Sequence, residues 1–411
     1  MKRILFVDDE PRVLEGLQRL LRPQRHQWEM AFATSGTAAL DLLAERPFDV
    51  IVSDMRMPGM DGATLLRHVQ ARYPQMVRII LSGYSELESS LRSLPVAHQF
   101  LSKPCEPQLL REVIERACAL QELLGDATLR AAVAQLGELP VQPQTYSALI
   151  RALEDPDVAM EDVARIVEQD IAMSAKCLQL VNSAFFGLPR RVSTIPQAVR
   201  LLGLNMLKAL VFTVEVFRTF ELPPDAVVAG LEELQAHSLI AARLAARLVP
   251  DPGRGDDAFM AALLHDVGKL ILATRSADGT FPTAGWSAAV TYAAEAGVPL
   301  VEAEQARLGV THAEVGAYLL GLWGLPQTIL EAVAFHHRPG RVSQRTFDVL
   351  GAVHVADYLA CEALGLAPGS CSSGVDERYL EALGVRDRWP QWSALAAELA
   401  LAHAGRGEPW R

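Results

Sequence analysis

The sequence predicts an α/β domain with a five-stranded parallel sheet, followed by a larger all-α domain. Residues 1–120 alternate short apolar runs with amphipathic stretches, which is the pattern of βα units around a parallel sheet. After Gly137 the pattern changes to almost continuous amphipathic helix. The chain has 411 residues, which is too long for one hydrophobic core, so at least two domains are expected.

The first domain has five predicted strands, separated by stretches with helical spacing. Each strand is a short, almost continuous apolar run, which indicates a sheet that helices cover on both faces. The third helical stretch places Leu65, Leu66 and Val69 on one side. The strands are predicted at residues 3–7, 29–33, 50–53, 78–81 and 99–101.

Polar residues stand at the ends of four of these strands. Asp8 and Asp9 end the first strand, Asp54 the third, Ser82 the fourth and Lys103 the fifth. Because the carboxyl ends of parallel strands form the ligand crevice of an open sheet, we expect these side chains to lie close together. Three converging carboxylates need a hard cation, and Mg²⁺ prefers oxygen ligands. The pattern predicts a magnesium-dependent phosphoryl site in which one carboxylate is the nucleophile.

Residues 1–122 resemble the receiver domains of two-component response regulators. The resemblance rests on Asp-Asp-Glu at 8–10, the loop Asp-Met-Arg-Met-Pro-Gly-Met-Asp-Gly at 54–62, and Lys-Pro at 103–104. It implies a flavodoxin-like fold, Mg²⁺ held by Asp8, Asp9 and Asp54, and phosphorylation of Asp54 by a sensor histidine kinase. It also implies switch and phosphate-contact roles for three further residues: Ser82 (switch hydroxyl), Phe100 (switch aromatic ring) and Lys103 (phosphate contact).

A helical joint is predicted between the two domains. The apolar positions of residues 107–124 lie on one side of a helix, and Gly125 with Asp126 interrupts it before a second helical stretch at 129–136. We therefore expect a helical linker at 123–138. Such a joint is able to transmit a rotation or to support a homodimer contact.

Residues 139–360 are predicted to form an all-α domain that holds metal. Periodicity predicts helices at 157–171, 173–182 and 308–320 and a buried pair of helices at 193–216. Most of the ten histidines follow residue 230. With carboxylates from the same predicted helices, they can surround one or two transition-metal ions, for which Fe or Mn fits best. The candidate ligands are Glu233, His237, His265, Asp266, His312, His336, His337 and Asp357.

Each of these residues has an ordinary structural alternative. A single histidine in a helical bundle usually forms hydrogen bonds within the core, and an acid usually caps a helix or faces solvent. The combination favours a metal centre, and two adjacent ions can activate water against a phosphodiester. Lys269, one turn beyond His265, is a candidate phosphate contact in the same pocket.

The segment His-Asp-Val-Gly-Lys at 265–269 resembles the HD superfamily of metal-dependent phosphohydrolases. Segments at 139–140, 169–170, 180–187, 195–203 and 323–326 resemble its HDOD branch, whose members are often output modules without established catalysis. The eight candidate ligands instead match the pattern of HD phosphodiesterases that cleave cyclic di-GMP. Arg-Pro-Gly at 338–340 stands where those enzymes have Gly-Tyr-Pro.

Two functions are compatible with these patterns. The first is a phosphorelay response regulator, phosphorylated on Asp54, whose metal-binding HDOD domain signals to an unknown downstream protein through protein–protein interaction. The second is a phosphorylation-regulated, metal-dependent phosphodiesterase acting on a cyclic dinucleotide or another phosphoester. The HDOD segments favour the first function and the complete ligand set favours the second, so the sequence leaves open whether the protein is an enzyme.

Composition argues against other classes of function. A net charge of −11 and the lack of a basic recognition helix argue against direct DNA binding. The sequence contains no run of about 20 apolar residues, so a membrane-spanning helix is not expected. The five cysteines show no paired spacing, so reduced thiols and a cytoplasmic location are expected. Residues 361–411 are predicted to be a helical extension that packs on the bundle, and we assign it no function.

Overall fold

The computed structural model describes residues 1–83, 96–103, 105, 107–123, 143–155, 157–182, 191–213, 226–277, 285–342, 346–366 and 374–405. The first domain is an α/β unit. Its strands are β1 (Lys2–Val7), β2 (Trp28–Ala33), β3 (Val50–Asp54), β4 (Val77–Gly83) and β5 (Gln99–Lys103). Its described helices are α1 (Pro11–Leu20), α2 (Gly36–Glu45), α3 (Gly62–Arg72) and α4 (Pro107–Leu123).

The strands form one parallel sheet in the order β2-β1-β3-β4-β5. This order confirms the predicted flavodoxin-like sheet, and each strand contains the predicted apolar run and extends beyond it. Val7 of β1 pairs with Ser53 of β3, and Asp54 pairs with Leu81 of β4. The ends of β1 and β3 therefore lie side by side, as the predicted acidic site requires.

All the regular secondary structure that the structure describes beyond residue 142 is helical, which confirms the predicted all-α class. Its first helices are α5 (Pro143–Glu154), α6 (Met160–Glu168), α7 (Ile171–Asn182), α8 (Ile195–Thr213), α9 (Ala226–Leu248), α10 (Gly255–Leu264) and α11 (Val267–Ala277). The later helices are α12 (Gly285–Ala296), α13 (Leu300–Leu308), α14 (His312–Leu322), α15 (Gln327–Phe335), α16 (Val349–Ala363), α17 (Glu377–Ala382) and α18 (Trp389–Gly405).

A helix boundary differs from the prediction at a place that matters for the site. The predicted helix at 308–320 is interrupted by Gly309, whose φ of 73° ends α13. Thr311 then begins α14 with a capping box: its side chain accepts from the Glu314 backbone N–H, and the Glu314 carboxylate accepts from the Thr311 backbone N–H. His312 is consequently the first residue of a helix and not an interior one.

The two domains meet where β5 and α4 of the first domain pack on α14 of the second. Gln99, the first residue of β5, donates from Nε2 to the carbonyl oxygen of Leu322 at 2.7 Å. Gly324 approaches from the turn after α14 with a φ of 79°, and a Cβ there would lie 2.6 Å from Gln99 Nε2. The contact is therefore buried and leaves little free space.

The cysteines correct one expectation. Cys361 is disulfide-bonded, whereas Cys105, Cys118 and Cys177 form no disulfide, so the thiols are not all reduced. Sequence spacing could not show this bond, because a disulfide depends on the distance between Cα atoms in the fold. Among the described helices, none has both the length and the apolar character that crossing a membrane requires.

The predicted linker and the terminal extension are only partly described. Residues 124–138 of the linker lie outside the described residues, as do 367–373 and 406–411 of the extension. The described part of the extension contains α17 and α18, and α18 packs against α9 and α16 of the bundle.

Candidate phosphoryl-acceptor site and metal centre

Three carboxylates meet at the carboxyl end of the sheet. One oxygen atom from each of Asp8, Asp9 and Asp54 lies within 4.8 Å of the others. Asp8 and Asp54 are buried, whereas Asp9 is half-buried. Lys103 Nζ, at the end of β5, lies 2.5 Å from Asp54 Oδ1 and 2.7 Å from Asp8 Oδ2. The arrangement offers the hard oxygen ligands that Mg²⁺ prefers.

Burial and charge act against each other in this cluster. Burial raises the pKa of Asp54, although the hydrogen bond and the charge of Lys103 act in the opposite direction. Burial lowers the pKa of Lys103, but its contacts with Asp54 and Asp8 outweigh burial, so that pKa is raised overall. Lys103 therefore stays protonated and balances part of the carboxylate charge.

Close packing of α3 holds the backbone of Asp54. Gly62 is the first residue of α3, and a Cβ there would lie 2.1 Å from the carbonyl oxygen of Asp54. The Gly62 N–H also donates to the Met55 carbonyl at 2.9 Å. No side chain fits at this position, which explains why the loop at 54–62 ends in a glycine.

The two predicted switch residues lie on neighbouring strands. Ser82 of β4 and Phe100 of β5 are both buried. In the sheet register, Ser82 pairs with Ser102 and Phe100 pairs with Ile80. Phe100 is thus packed inside the domain, immediately after Gln99 at the domain interface.

Seven of the eight predicted metal ligands converge in the second domain. Their side chains are at most 5% exposed. One ligand atom of each forms part of three overlapping groups, within which all such atoms lie within 4.8 Å: His312, His336 and His337; His237, His265 and Asp357; His265, Asp266 and His336. Glu233 is exposed and belongs to none of these groups. It shares a helix with His237 but lies one turn away, in solvent.

The helix boundaries explain how distant residues reach one centre. α10 and α15 each end directly before a histidine, and α14 begins with one, so three ligand-bearing helix ends point inward. The seven residues are distributed as His237 on α9, His265 and Asp266 between α10 and α11, His312 at the start of α14, His336 and His337 after α15, and Asp357 on α16.

Hydrogen bonds fix the tautomers of three histidines. His265 Nδ1 lies 2.6 Å from the Ala262 carbonyl, and His336 Nδ1 lies 2.8 Å from the Val333 carbonyl. Since a carbonyl can only accept, each Nδ1 carries the proton. His312 Nδ1 lies 2.8 Å from both oxygens of the Glu304 carboxylate, with the same result. In the neutral ring the lone pair is then on Nε2, which is the atom available to a metal.

Several buried atoms of the candidate ligands lack a hydrogen-bond partner within the part of the chain that the structure describes. A bound cation would satisfy them. His336 Nε2 and Asp357 Oδ2 have no hydrogen-bond partner among the described residues. His312 Nε2 lies 2.9 Å from His337 Nε2, and His237 Nε2 lies 3.3 Å from His265 Nε2. Lone pairs directed at one another at such distances need a proton or a metal ion between them. The donor set of imidazoles and carboxylates suits a transition metal.

Charge divides the histidines into two kinds. Burial lowers the pKa of His265, but Asp266 and Asp357 outweigh burial and raise it to about 10. Burial, together with the charge of His265, lowers the pKa of His336 to about 3. Burial raises the pKa of the Asp266 and Asp357 carboxyls. Hydrogen bonds and charge from the neighbouring histidines, and from Lys269 beside Asp266, hold both pKa values well below the usual range. The centre therefore presents two carboxylates at neutral pH.

Lys269 does not extend into free space. Its Nζ lies 2.6 Å from Asp266 Oδ2, and the residue is buried. The predicted phosphate contact would require this ion pair to break. The adjacent Gly268 lies against α14, because a Cβ there would be 1.9 Å from the His312 carbonyl oxygen. Gly316 of α14 leaves the matching space, since its own Cβ would be 3.2 Å from the Gly268 nitrogen.

Sequence reasoning missed Glu304. This residue on α13 is fully buried, and it accepts from both the backbone N–H and the Nδ1–H of His312. A carboxylate of this kind orients a metal-binding histidine and raises its basicity. The available signal was an acid within an apolar helical stretch eight residues before His312, which is weak without knowledge of the turn at Gly309.

Both domains match models of known protein families. A family model of the response regulator receiver domain matches residues 4–115, and a family model of the HDOD domain matches residues 139–339. The chain is a response regulator with an HDOD domain.

Curated relatives of this HDOD response regulator share part of its length. It is 32% identical to the response regulator protein PilR of Pseudomonas aeruginosa over 45% of this chain and 46% of that protein. It is 31% identical to the hydrogenase transcriptional regulatory protein HoxA of Cupriavidus necator over 41% of this chain and 37% of that protein. The chain thus spans less than half the length of these relatives.

A solved structure resembles a larger part of the HDOD response regulator. A virulence factor of Campylobacter jejuni is 18% identical, with a TM-score of 0.50, over 68% of this chain and 97% of that one. At this identity the likeness shows the fold alone.

Proposed function

We propose that this response regulator is switched by phosphorylation of Asp54 and that its metal-binding HDOD domain passes the signal to a downstream protein by direct contact. The phosphoryl donor is a sensor histidine kinase. The observation that carries the output half of the proposal is the burial of the metal centre: all seven converging ligands are at most 5% exposed.

The first domain supplies the groups that phosphoryl transfer needs. A carboxylate oxygen of Asp54 attacks the phosphorus of a phosphohistidine, the P–N bond breaks, and the imidazole nitrogen keeps the electron pair. Bound Mg²⁺, held by Asp8, Asp9 and Asp54, would neutralise charge on the phosphoryl oxygens. Lys103 Nζ, already 2.5 Å from Asp54 Oδ1, is placed to pair with a phosphoryl oxygen. The Ser82 hydroxyl is the proposed second donor.

The second domain supplies a closed set of ligands. The seven converging residues would hold one or two ions, with Fe or Mn as the expected metals, and an ion there would join the ends of several helices. Such a bond stabilises the arrangement of the bundle, because ligands from distant segments become fixed to one another. Lys269 forms a buried ion pair with Asp266. Its ammonium group is therefore already paired and is not available to bind a phosphate. These features favour a structural or signalling centre over a hydrolytic one.

Phosphorylation is tested with acetyl phosphate and Mg²⁺, followed by intact-protein mass spectrometry. We expect the mass of one phosphoryl group on the wild type and none on Asp54→Asn. Asp41→Asn, which removes an exposed carboxylate from α2, is the matched control and should be modified like the wild type. Equal modification of Asp54→Asn would show that another residue is the acceptor.

The output is tested by metal analysis and a substrate panel. We expect iron or manganese in the purified protein, lost in His265→Ala/Asp266→Ala, and no hydrolysis of cyclic di-GMP, cyclic di-AMP or bis(p-nitrophenyl) phosphate. Hydrolysis that disappears in the double variant would replace this proposal with the phosphodiesterase. If the wild type stays free of metal after anaerobic loading with Fe²⁺ or Mn²⁺, the metal-binding part of the proposal is wrong.

A further inference from the structure

Helix α14 connects the metal centre to the receiver domain. Its first residue, His312, belongs to the centre, and its last residue, Leu322, accepts the hydrogen bond from Gln99 of β5. The helix has 11 residues, so these ends are about 15 Å apart.

The N-terminal end of α14 is held firmly in the centre. Glu304 accepts from the His312 backbone N–H at 2.9 Å and from its Nδ1 at 2.8 Å. Thr311 and Glu314 form the capping box directly beside it. A displacement of His312 relative to the other ligands therefore displaces the whole start of the helix.

The body of α14 has little freedom to deform. Every residue from His312 to Leu322 except Glu314 is buried. Gly316 lies against Gly268, one residue beyond Val267 and two beyond Asp266. Packed helices of this kind shift as units between discrete arrangements, because a close-packed interior does not deform continuously.

The C-terminal end of α14 is held by the receiver. Gln99 is 4% exposed, and a void of about 10 Å³, lined by Val113, Ala117 and Gly321 among others, lies at the contact. That volume is at most enough for one water molecule. A small movement of β5 therefore reaches α14 without being absorbed at the interface.

Strand β5 connects the domain interface to the acidic site of the receiver. It begins with Gln99 at the interface and ends with Lys103, whose Nζ contacts Asp54 and Asp8. These residues are about 13 Å apart along five residues of strand. A phosphoryl group on Asp54 changes the partners of Lys103, and Phe100 is buried beside Gln99 on the same strand.

We propose that the metal centre is a second input of the protein: metal occupancy, transmitted through α14 and β5, changes the affinity of the receiver for its phosphoryl group. This inference rests on the proposed metal binding and goes beyond it. Because coupling between two binding sites is reciprocal, a phosphoryl group on Asp54 must change metal affinity by the same factor.

The test uses the full chain and binding alone as its readout. Mn²⁺ is titrated calorimetrically in excess Mg²⁺, with and without beryllium fluoride, which binds an aspartate carboxylate as a phosphoryl mimic. We expect beryllium fluoride to change Mn²⁺ affinity by about fivefold or more, within the usual range of allosteric coupling. The converse titration, beryllium fluoride with and without Mn²⁺, should give the same factor.

Variants assign the effect to the two sites and to the contact. Asp54→Asn should abolish the effect of beryllium fluoride, and His265→Ala/Asp266→Ala should abolish the Mn²⁺ binding that is measured. Gln99→Ala should reduce the coupling factor at least by half. Gln27→Ala is the matched control: Gln27 is exposed and precedes β2, at the opposite edge of the sheet, so coupling should be unchanged.

The outcomes separate this inference from the proposed function. Mn²⁺ binding that is unaffected by beryllium fluoride in the wild type would overturn the inference and leave the metal centre standing. Coupling that persists unchanged in Gln99→Ala would overturn the route through β5. Absence of Mn²⁺ binding, or equal binding by His265→Ala/Asp266→Ala, would overturn both the inference and the proposed metal centre.

Discussion

The Glu304 carboxylate lies 2.8 Å from Nδ1 of His312, and neither side chain is reached by solvent. This pair fixes which nitrogen of His312 faces the candidate metal centre. It also places a carboxylate behind a candidate metal ligand, and a carboxylate in this position strengthens an imidazole as a base. A residue outside the set of candidate ligands therefore orients one of them.

Replacing Glu304 by Gln should weaken metal binding without removing any ligand. Gln keeps an oxygen that accepts from Nδ1–H but loses the charge, so we expect the affinity for Mn²⁺ to fall about 10- to 100-fold. Calorimetric titration measures this change. Glu302→Gln, an exposed position on the same helix, is the control and should bind like the wild type. Unchanged affinity in Glu304→Gln would show that the charge is not needed.

Replacing Gly268 by Ala should destabilise the helical domain. A Cβ at this position would lie 1.9 Å from the His312 carbonyl oxygen, which is a backbone atom and cannot rotate away. We expect a loss of about 3 kcal/mol in the free energy of unfolding, measured by urea denaturation. In Gly230→Ala nothing lies within 4 Å of the new Cβ, and this helical position should gain up to about 1 kcal/mol. Similar stability of the two variants would contradict the close approach of α11 and α14.

Metal binding should release a proton near neutral pH. The pKa of His265 is raised to about 10 in the metal-free fold, so His265 is protonated at pH 7 and must lose that proton before Nε2 can bind. Metal affinity should therefore increase with pH up to about 10. His336, with its pKa lowered to about 3, releases none. Titrations in two buffers with different ionisation enthalpies count the protons, and a count of zero would contradict the charge assigned to His265.

The same pKa sets the pH dependence of stability in the metal-free protein. A folded-state pKa above the ordinary value of 6.5 means that the charged His265 stabilises the fold fully below about pH 6.5. This stabilisation is lost as the pH rises towards about 10. Denaturation at several pH values, compared with His265→Ala, should show a difference that shrinks over that range.

Replacing Lys103 by Ala should strengthen Mg²⁺ binding. The Lys103 ammonium lies 2.5 Å from Asp54 Oδ1 and competes with a cation for the same carboxylate charge. Because Lys103 is 29% exposed, solvent screens this effect, and we expect roughly a fivefold gain in Mg²⁺ affinity. Calorimetry measures the gain. Lys103→Arg keeps the charge and should show little of it, whereas weaker Mg²⁺ binding by Lys103→Ala would mean that Lys103 organises the carboxylates.

The sheet could be predicted because its burial on both faces leaves a strong signal. Strands such as β1 and β3 read as short apolar runs, and the residues that follow them are polar. The start of α14 could not be predicted in the same way. The apolar pattern continues through Leu308 and Val310, and only the positive φ of Gly309 and the cap at Thr311 show that two helices meet there.

The cluster of candidate metal ligands could be predicted from the sequence, but the residue that supports it could not. Histidine and aspartate in a helical domain are conspicuous by type, so seven of the eight candidates converge. Glu304 carries no such signal, because an acid on a helix usually faces solvent. Glu233 shows the reverse, since its spacing from His237 matches a ligand pair but its side chain is exposed. Lys269 pairs with Asp266, three residues earlier, which is a spacing that favours ion pairs.

His265 and His336 each belong to two of the three overlapping groups of ligands. An imidazole has one available lone pair, so an ion that takes His265 or His336 in one group removes a ligand from the next. Ions in overlapping groups therefore compete for these two imidazoles. Loading under limiting metal and loading under excess metal should give different populations of the protein. The number of ions that the protein holds would then follow the concentration of available metal.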